Sequence, residues 1–95
     1  MRDIPHLVSA EAVIPGVLKL VWDDDYAGVV DLRPIIVRDQ NFAFLQNATS
    51  FAKVKISEYG RTLGWMNPEG KLIDFGSVSL RQRAERQAEQ HMQAG

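Results

Sequence analysis

The residues predict an α+β fold: a mostly antiparallel, twisted sheet of about five strands, one short helical segment and a C-terminal helix. Three observations lead there. Val54 to Trp65, VKISEYGRTLGW, reads as a β-hairpin. With Tyr59-Gly60 as a two-residue turn, Glu58 faces Arg61, Ser57 faces Thr62, Ile56 faces Leu63 and Val54 faces Trp65. Each pair matches in chemistry, and a slip by one residue would turn the apolar set to solvent. Upstream, VLKLVW (Val17–Trp22) alternates as a strand does, and AGVVDL (Ala27–Leu32) returns as its partner strand. The spacing then becomes helical over Pro34 to Phe51, and the chain ends in a run of good helix formers.

Taken in order, Pro5 and Pro15-Gly16 bracket His6 to Ile14, where Ala10-Glu11-Ala12 dilutes the strand signal. An irregular or edge strand is expected there. Val17 to Trp22 places Leu18, Leu20 and Trp22 on one face. Asp23-Asp24-Asp25 is turn chemistry, because aspartate bonds to its own backbone in place of a ladder. Arg33-Pro34 ends the next strand, since proline has no N–H to donate. Phe42, Leu45 and Phe51 are then spaced as anchors on a short helix and its following loop, folding across the apolar face of the sheet. After the hairpin, Asn67-Pro68-Glu69-Gly70 marks a turn and Lys71 to Phe75 a last short strand. Ser77 or Ser79 can cap a helix reaching about Gln93, whose apolar stripe is Leu80, Ala84, Ala88 and Met92. The expected organisation is one domain over residues 1–95, with a compact core at 6–80 and a polar helical tail at 81–95.

Composition narrows the function classes. The chain has 95 residues, 45% of them hydrophobic, and no cysteine, which removes thiolate metal sites, disulfides and cysteine nucleophiles. The net charge of −1 gives no global field toward nucleic acid or acidic lipid. It is unevenly spread: Met1 to Ala48 holds four basic and seven acidic side chains, and Thr49 to Gly95 seven and five. No apolar stretch approaches ~18 residues, so a soluble, cytoplasmic protein with no membrane partner is expected.

The aspartate run offers hard oxygen ligands for a cation, but no glycine or distal glutamate completes a calcium loop, and a solvated turn is the expected reading. His6 and His91 stand apart from any partner base, and the serines lack a nucleophile-elbow context. The residues therefore predict no enzyme, no cofactor and no metal site. Trp22 and Trp65 end apolar strand faces and are expected in the core. The candidate interaction surface comprises Tyr26 and Tyr59 at the hairpin tips, Arg81, Arg83 and Arg86 on the tail helix, and Met92 on its apolar stripe. Glu85 and Glu89 interrupt the arginines, as on a solvated helix face.

Several segments together resemble the bacterial domain-of-unknown-function family 2442. The likeness runs through the strand-turn-strand Leu18 to Leu32, Arg33-Pro34-Ile35-Ile36, Phe42 to Leu45, Phe51 with Val54, and Glu58-Tyr59-Gly60-Arg61-Thr62-Leu63 leading to Trp65. It covers about Val17 to Leu80, and the order and spacing of the segments carry it. The chain departs from the family pattern at the first hairpin, where Trp22 is followed by Asp23-Asp24-Asp25-Tyr26 and Gly28 is displaced. The resemblance implies a small α+β module. Some members precede a helix-turn-helix domain and some are encoded beside small toxin-like proteins, and it implies no catalytic residues. The leading expectation is a non-catalytic interaction or regulatory module, an antitoxin-like partner of a small toxin-like protein or a homo-oligomer. The alternative is nucleic-acid binding through the arginine-bearing helix.

Overall fold

A computed structural model describes residues 5–94, and the side chains of residues 5–89. The first three strands, β1 (Leu7–Ile14), β2 (Val17–Trp22) and β3 (Ala27–Asp31), form an antiparallel sheet in the order β1-β2-β3. Leu18, Leu20 and Trp22 project from one face of β2 and are fully buried, as the period of two requires. Leu18 sits opposite Val30 and Leu20 opposite Gly28. β1 is an irregular edge strand, with register shifts between Leu7 and Ser9 and between Ala12 and Ile14. The aspartates make the β2–β3 turn: Asp25 adopts φ 67° and the Asp24 carboxylate accepts from the Tyr26 N–H.

Between β3 and the next strand the chain makes three short helical pieces in place of the single one expected. They are α1 (Arg33–Arg38), a 3-10 segment (Gln40–Gln46) and α2 (Ala48–Phe51). Asp39 and Asn47 cause the breaks. Each has extended backbone and each side chain accepts a hydrogen bond from the turn that follows, Asp39 from the Asn41 N–H and Asn47 from the Ser50 N–H. A capping side chain of this kind starts a new helical turn and ends the previous one.

The second half forms another antiparallel sheet from β4 (Lys55–Ile56), β5 (Thr62–Met66) and β6 (Leu72–Gly76), in the order β4-β5-β6. The described residues thus form six strands in two three-stranded sheets, not one sheet of about five. The helical stretch from Arg33 to Phe51 carries the chain away from the first sheet before β4 begins. Among the described residues one backbone hydrogen bond then joins the sheets, from the Leu7 N–H to the Gly60 C=O at 2.6 Å. The hairpin register is the anticipated one, with Ile56 opposite Leu63 and Lys55 opposite Gly64. Its turn differs. The Ser57 C=O accepts from the Gly60 N–H, so Glu58 and Tyr59 take the central positions and Gly60 follows at φ 70°. The Arg61 C=O is taken by the Ser77 N–H, which extends the β5–β6 ladder.

Both sheets bury their apolar faces in one core containing Leu20, Trp22, Leu45, Phe51, Leu63 and Trp65. Phe51 stacks on Trp65 with ring centroids 5.3 Å apart, and Phe42 on Phe75 at 5.5 Å, so the helical stretch does seat its aromatics on the second sheet. Each tryptophan N–H has a partner: Trp22 donates to the Ser77 C=O and Trp65 to the Phe51 C=O. Asn67 builds the β5–β6 turn by accepting from the Glu69 and Lys71 N–H groups.

The C-terminal helix, α3 (Ser77–Ala94), packs on its own domain well beyond residue 80. Leu80 and Ala84 are buried and Ala88 is exposed, so among the described members of the expected stripe only the first two reach the core. The hydroxyl of Ser77 donates to the Pro5 C=O instead of capping the helix. Gln87 closes part of the β3 edge. Its side-chain oxygen accepts from the Asp31 N–H at 2.9 Å and its amide donates to the Asp31 C=O at 3.3 Å, reproducing what a neighbouring strand would provide. Gln87→Leu is expected to destabilise the fold by about 1–2 kcal/mol in urea unfolding, because both Asp31 backbone groups lose their partner. An unchanged urea midpoint would show that water replaces Gln87 without loss.

Candidate interaction surface

The anticipated surface residues do not form one patch. Arg81 is drawn into the domain. Its guanidinium lies 3.9 Å from the Tyr26 ring centroid and 5.4 Å from that of Trp22. It donates to Asp24 at 3.0 Å and to Glu85 at 2.9 Å, and its side chain is only 17% exposed. Arg81 therefore clamps α3 to the β2–β3 turn through charge, hydrogen bonding and ring contact together. Tyr26 is half-buried beneath it. Arg83 is half-buried and Arg86 exposed, and neither has an ion pair among the described residues. Tyr26 and Arg86 do share a shallow depression with Gln82 and Glu85. Tyr59 stands on the β4–β5 turn, 69% exposed. Met92 lies outside the residues whose side chains are described.

The Asp23–Asp25 turn is occupied by protein partners: Asp24 with Arg81, and Asp23 accepting from the His6 N–H at 3.1 Å. Among the described residues no three His, Asp or Glu side chains converge as metal ligands. The hydrogen bond from Arg81 holds the Asp24 carboxyl below its ordinary value of 3.8, and Arg33 does the same for Asp31. A carboxylate with a depressed folded-state pKa stabilises the fold above the unfolded value, and that contribution fades as pH falls through the lower, folded one. Asp24→Asn should therefore lower the thermal midpoint at neutral pH, with the gap to the wild type closing below pH 3.8. A gap that persists unchanged into strong acid would show that charge is not what Asp24 contributes.

A different surface emerges on the outer face of the second sheet. Leu63 and Trp65 of β5 point into the core, so Thr62, Gly64 and Met66 point out. Met66 faces Leu72 across the strands, and these two apolar side chains are 63% and 61% exposed. They border a groove of about 460 Å³ that also runs past Lys53, Lys55, Pro68 and Asp74. The signal was present in the sequence: once Leu63 and Trp65 are assigned to the core, parity alone puts Met66 outside.

No helix among the described residues is long and apolar enough to cross a membrane. Compared with protein-family models, with curated proteins and with solved structures, the chain shows no match to any of them.

Proposed function

We propose that the chain is a non-catalytic interaction module of a bacterial cytoplasmic regulatory system, an antitoxin-like partner of a small toxin-like protein. The order of segments that resembles domain-of-unknown-function family 2442 suggests this reading, although no family model matches the chain, and the outer face of the second sheet carries it. Met66 and Leu72 form an exposed apolar pair beside a groove with charged side chains on its rim. An apolar centre with a polar rim is the composition of a protein-binding patch. The binding surface is thus assigned to the second sheet and not to the tail arginines. Nucleic-acid contact through α3 has less to stand on, because Arg81 is committed to Asp24 and Glu85.

The test is isolation of the tagged chain from its native cell, alongside a Met66→Glu, Leu72→Lys variant. The wild type should retain a protein partner that the variant loses. Thermal unfolding of the variant should stay within about 4 °C of the wild type, since exposed substitutions shift stability by about 0.5 kcal/mol. A monomer that retains no partner, or a partner held equally by the variant, would count against this reading.

A further inference from the structure

The geometry points to strand addition: we propose that the free edge of β6 accepts an extended segment of another protein as a further antiparallel strand, with a lysine or arginine opposite Asp74. This rests on the interaction-module reading and gives it a mode and a partner chemistry.

Four strands lie at sheet edges: β1, β3, β4 and β6. Three of them are blunted. β1 is broken by register shifts near both ends, and the Leu7 N–H is taken by Gly60. The Asp31 end of β3 is closed by Gln87. β4 is two residues long and lies against β1. Bulges, covering groups and short length are the ordinary defences of an edge. Among the described residues β6 has none of these three, and its one charged side chain is Asp74. It runs five residues in unbroken register from Leu72 opposite Met66 to Gly76 opposite Thr62.

Its backbone is turned for pairing. The Asn67 N–H donates to the Lys71 C=O at 2.8 Å, and the Ser77 N–H to the Arg61 C=O at 2.7 Å. These bonds place the odd-numbered residues in the β5 ladder, so the N–H and C=O groups of Leu72, Asp74 and Gly76 face outward. Among the described residues no hydrogen bond outside that ladder uses them. Both faces of the edge offer apolar contact. Leu72 is exposed on one, while Ile73 and Phe75 are half-buried on the other, with Phe42 stacked on Phe75. An open ladder with side-chain seats on both faces is what strand addition recognises.

Asp74 selects the partner. A second copy aligned over the full strand would set Asp74 against Asp74, and like charges directly opposite are destabilising. A basic residue there gains what the second copy loses. At Gly76 a Cβ would meet nothing within 4 Å, which leaves room for a large ring on the strand across from it. Read antiparallel, the incoming segment is aromatic opposite Gly76, apolar opposite Phe75, basic opposite Asp74, and apolar opposite Ile73 and Leu72.

The probe is a capped Phe-Val-Lys-Val-Leu peptide and its counterpart with Glu in place of Lys, each titrated into the full chain and followed by amide NMR. The expected shifts concentrate at Leu72, Asp74 and Gly76, and the lysine peptide binds about fivefold more tightly than the glutamate one. Asp74→Lys should reverse that order. Asp74→Pro removes an outward donor without touching the β5 ladder and should abolish both interactions. If the proline variant does not fold, the charge reversal carries the test. Equal affinity for both peptides, no binding of either, or shifts centred on other elements would overturn the proposal. A native partner held equally by wild type, Asp74→Lys and Asp74→Pro would overturn strand addition while leaving the interaction-module reading intact. Absence of any native partner would instead remove that reading.

Discussion

Gly60→Ala is expected to lower the stability of the fold by about 3 kcal/mol or more, from two sources that a control can separate. Gly60 has φ 70°, a conformation in which an L side chain costs about 1–2 kcal/mol. A Cβ at this position would also sit 2.3 Å from the Leu7 C=O oxygen and 2.9 Å from the Leu7 nitrogen. These are backbone atoms with little freedom to retreat, and the same Leu7 nitrogen donates the hydrogen bond that joins the two sheets. Relieving the clash therefore loosens that junction. Gly70 is the control: its φ is 84°, yet a Cβ there would meet nothing within 4 Å. Gly70→Ala should show the conformational penalty alone, about 1–2 kcal/mol. Urea unfolding of both variants checks this, and equal losses at the two positions would show that the Leu7 contact adds nothing.

Trp22→Ala is expected to destabilise by about 3–5 kcal/mol, the usual range for truncating a buried aromatic. A domain of this length has a total stability of roughly 5–14 kcal/mol, so the variant should be partly unfolded under mild denaturant. The ring is almost wholly buried, and its N–H donates to the Ser77 C=O at 3.2 Å. It also backs Tyr26, at a centroid distance of 5.7 Å, on the side where Arg81 lies. Trp22→Phe keeps most of the apolar volume and removes the donor, and should cost about 1–3 kcal/mol. Chemical denaturation followed by far-ultraviolet circular dichroism separates the two. A phenylalanine variant as stable as the wild type would show that the hydrogen bond contributes little.

Much of the fold was legible because it rests on local patterns. The alternation in VLKLVW put Leu18, Leu20 and Trp22 in the core, and complementary pairs fixed the hairpin register at Ile56–Leu63. The division into two sheets was not legible. It depends on how far the helical stretch carries the chain and on the Leu7–Gly60 contact, and neither leaves a periodic trace. The depth to which α3 packs was hidden for a similar reason. Arg81 and Gln87 look like residues of a solvated helix face, and only the tertiary structure supplies Asp24 and the Asp31 backbone as their partners. The exposure of Tyr59 follows from its place at a turn. Met66 and Leu72 carry no local sign of a surface role: apolar residues on short strands read as core until Leu63 and Trp65 take the inner face and leave theirs in water.

Ser77 has a consequence for the order of folding events. Its side chain reaches Pro5 across 72 residues of sequence, its carbonyl meets Trp22 across 55, and nearly three helical turns further along α3 the Asp31–Gln87 contact spans 56. Each three-stranded meander, by contrast, closes through neighbouring strands at short separation. Loops that long must close before these contacts bring any gain, so the meanders are expected to form first and the Ser77 junction last. Variants at this junction should then accelerate unfolding while leaving the refolding rate nearly unchanged, which a chevron plot of Ser77→Ala would reveal. Slowed refolding in that plot would place the junction in the folding nucleus instead.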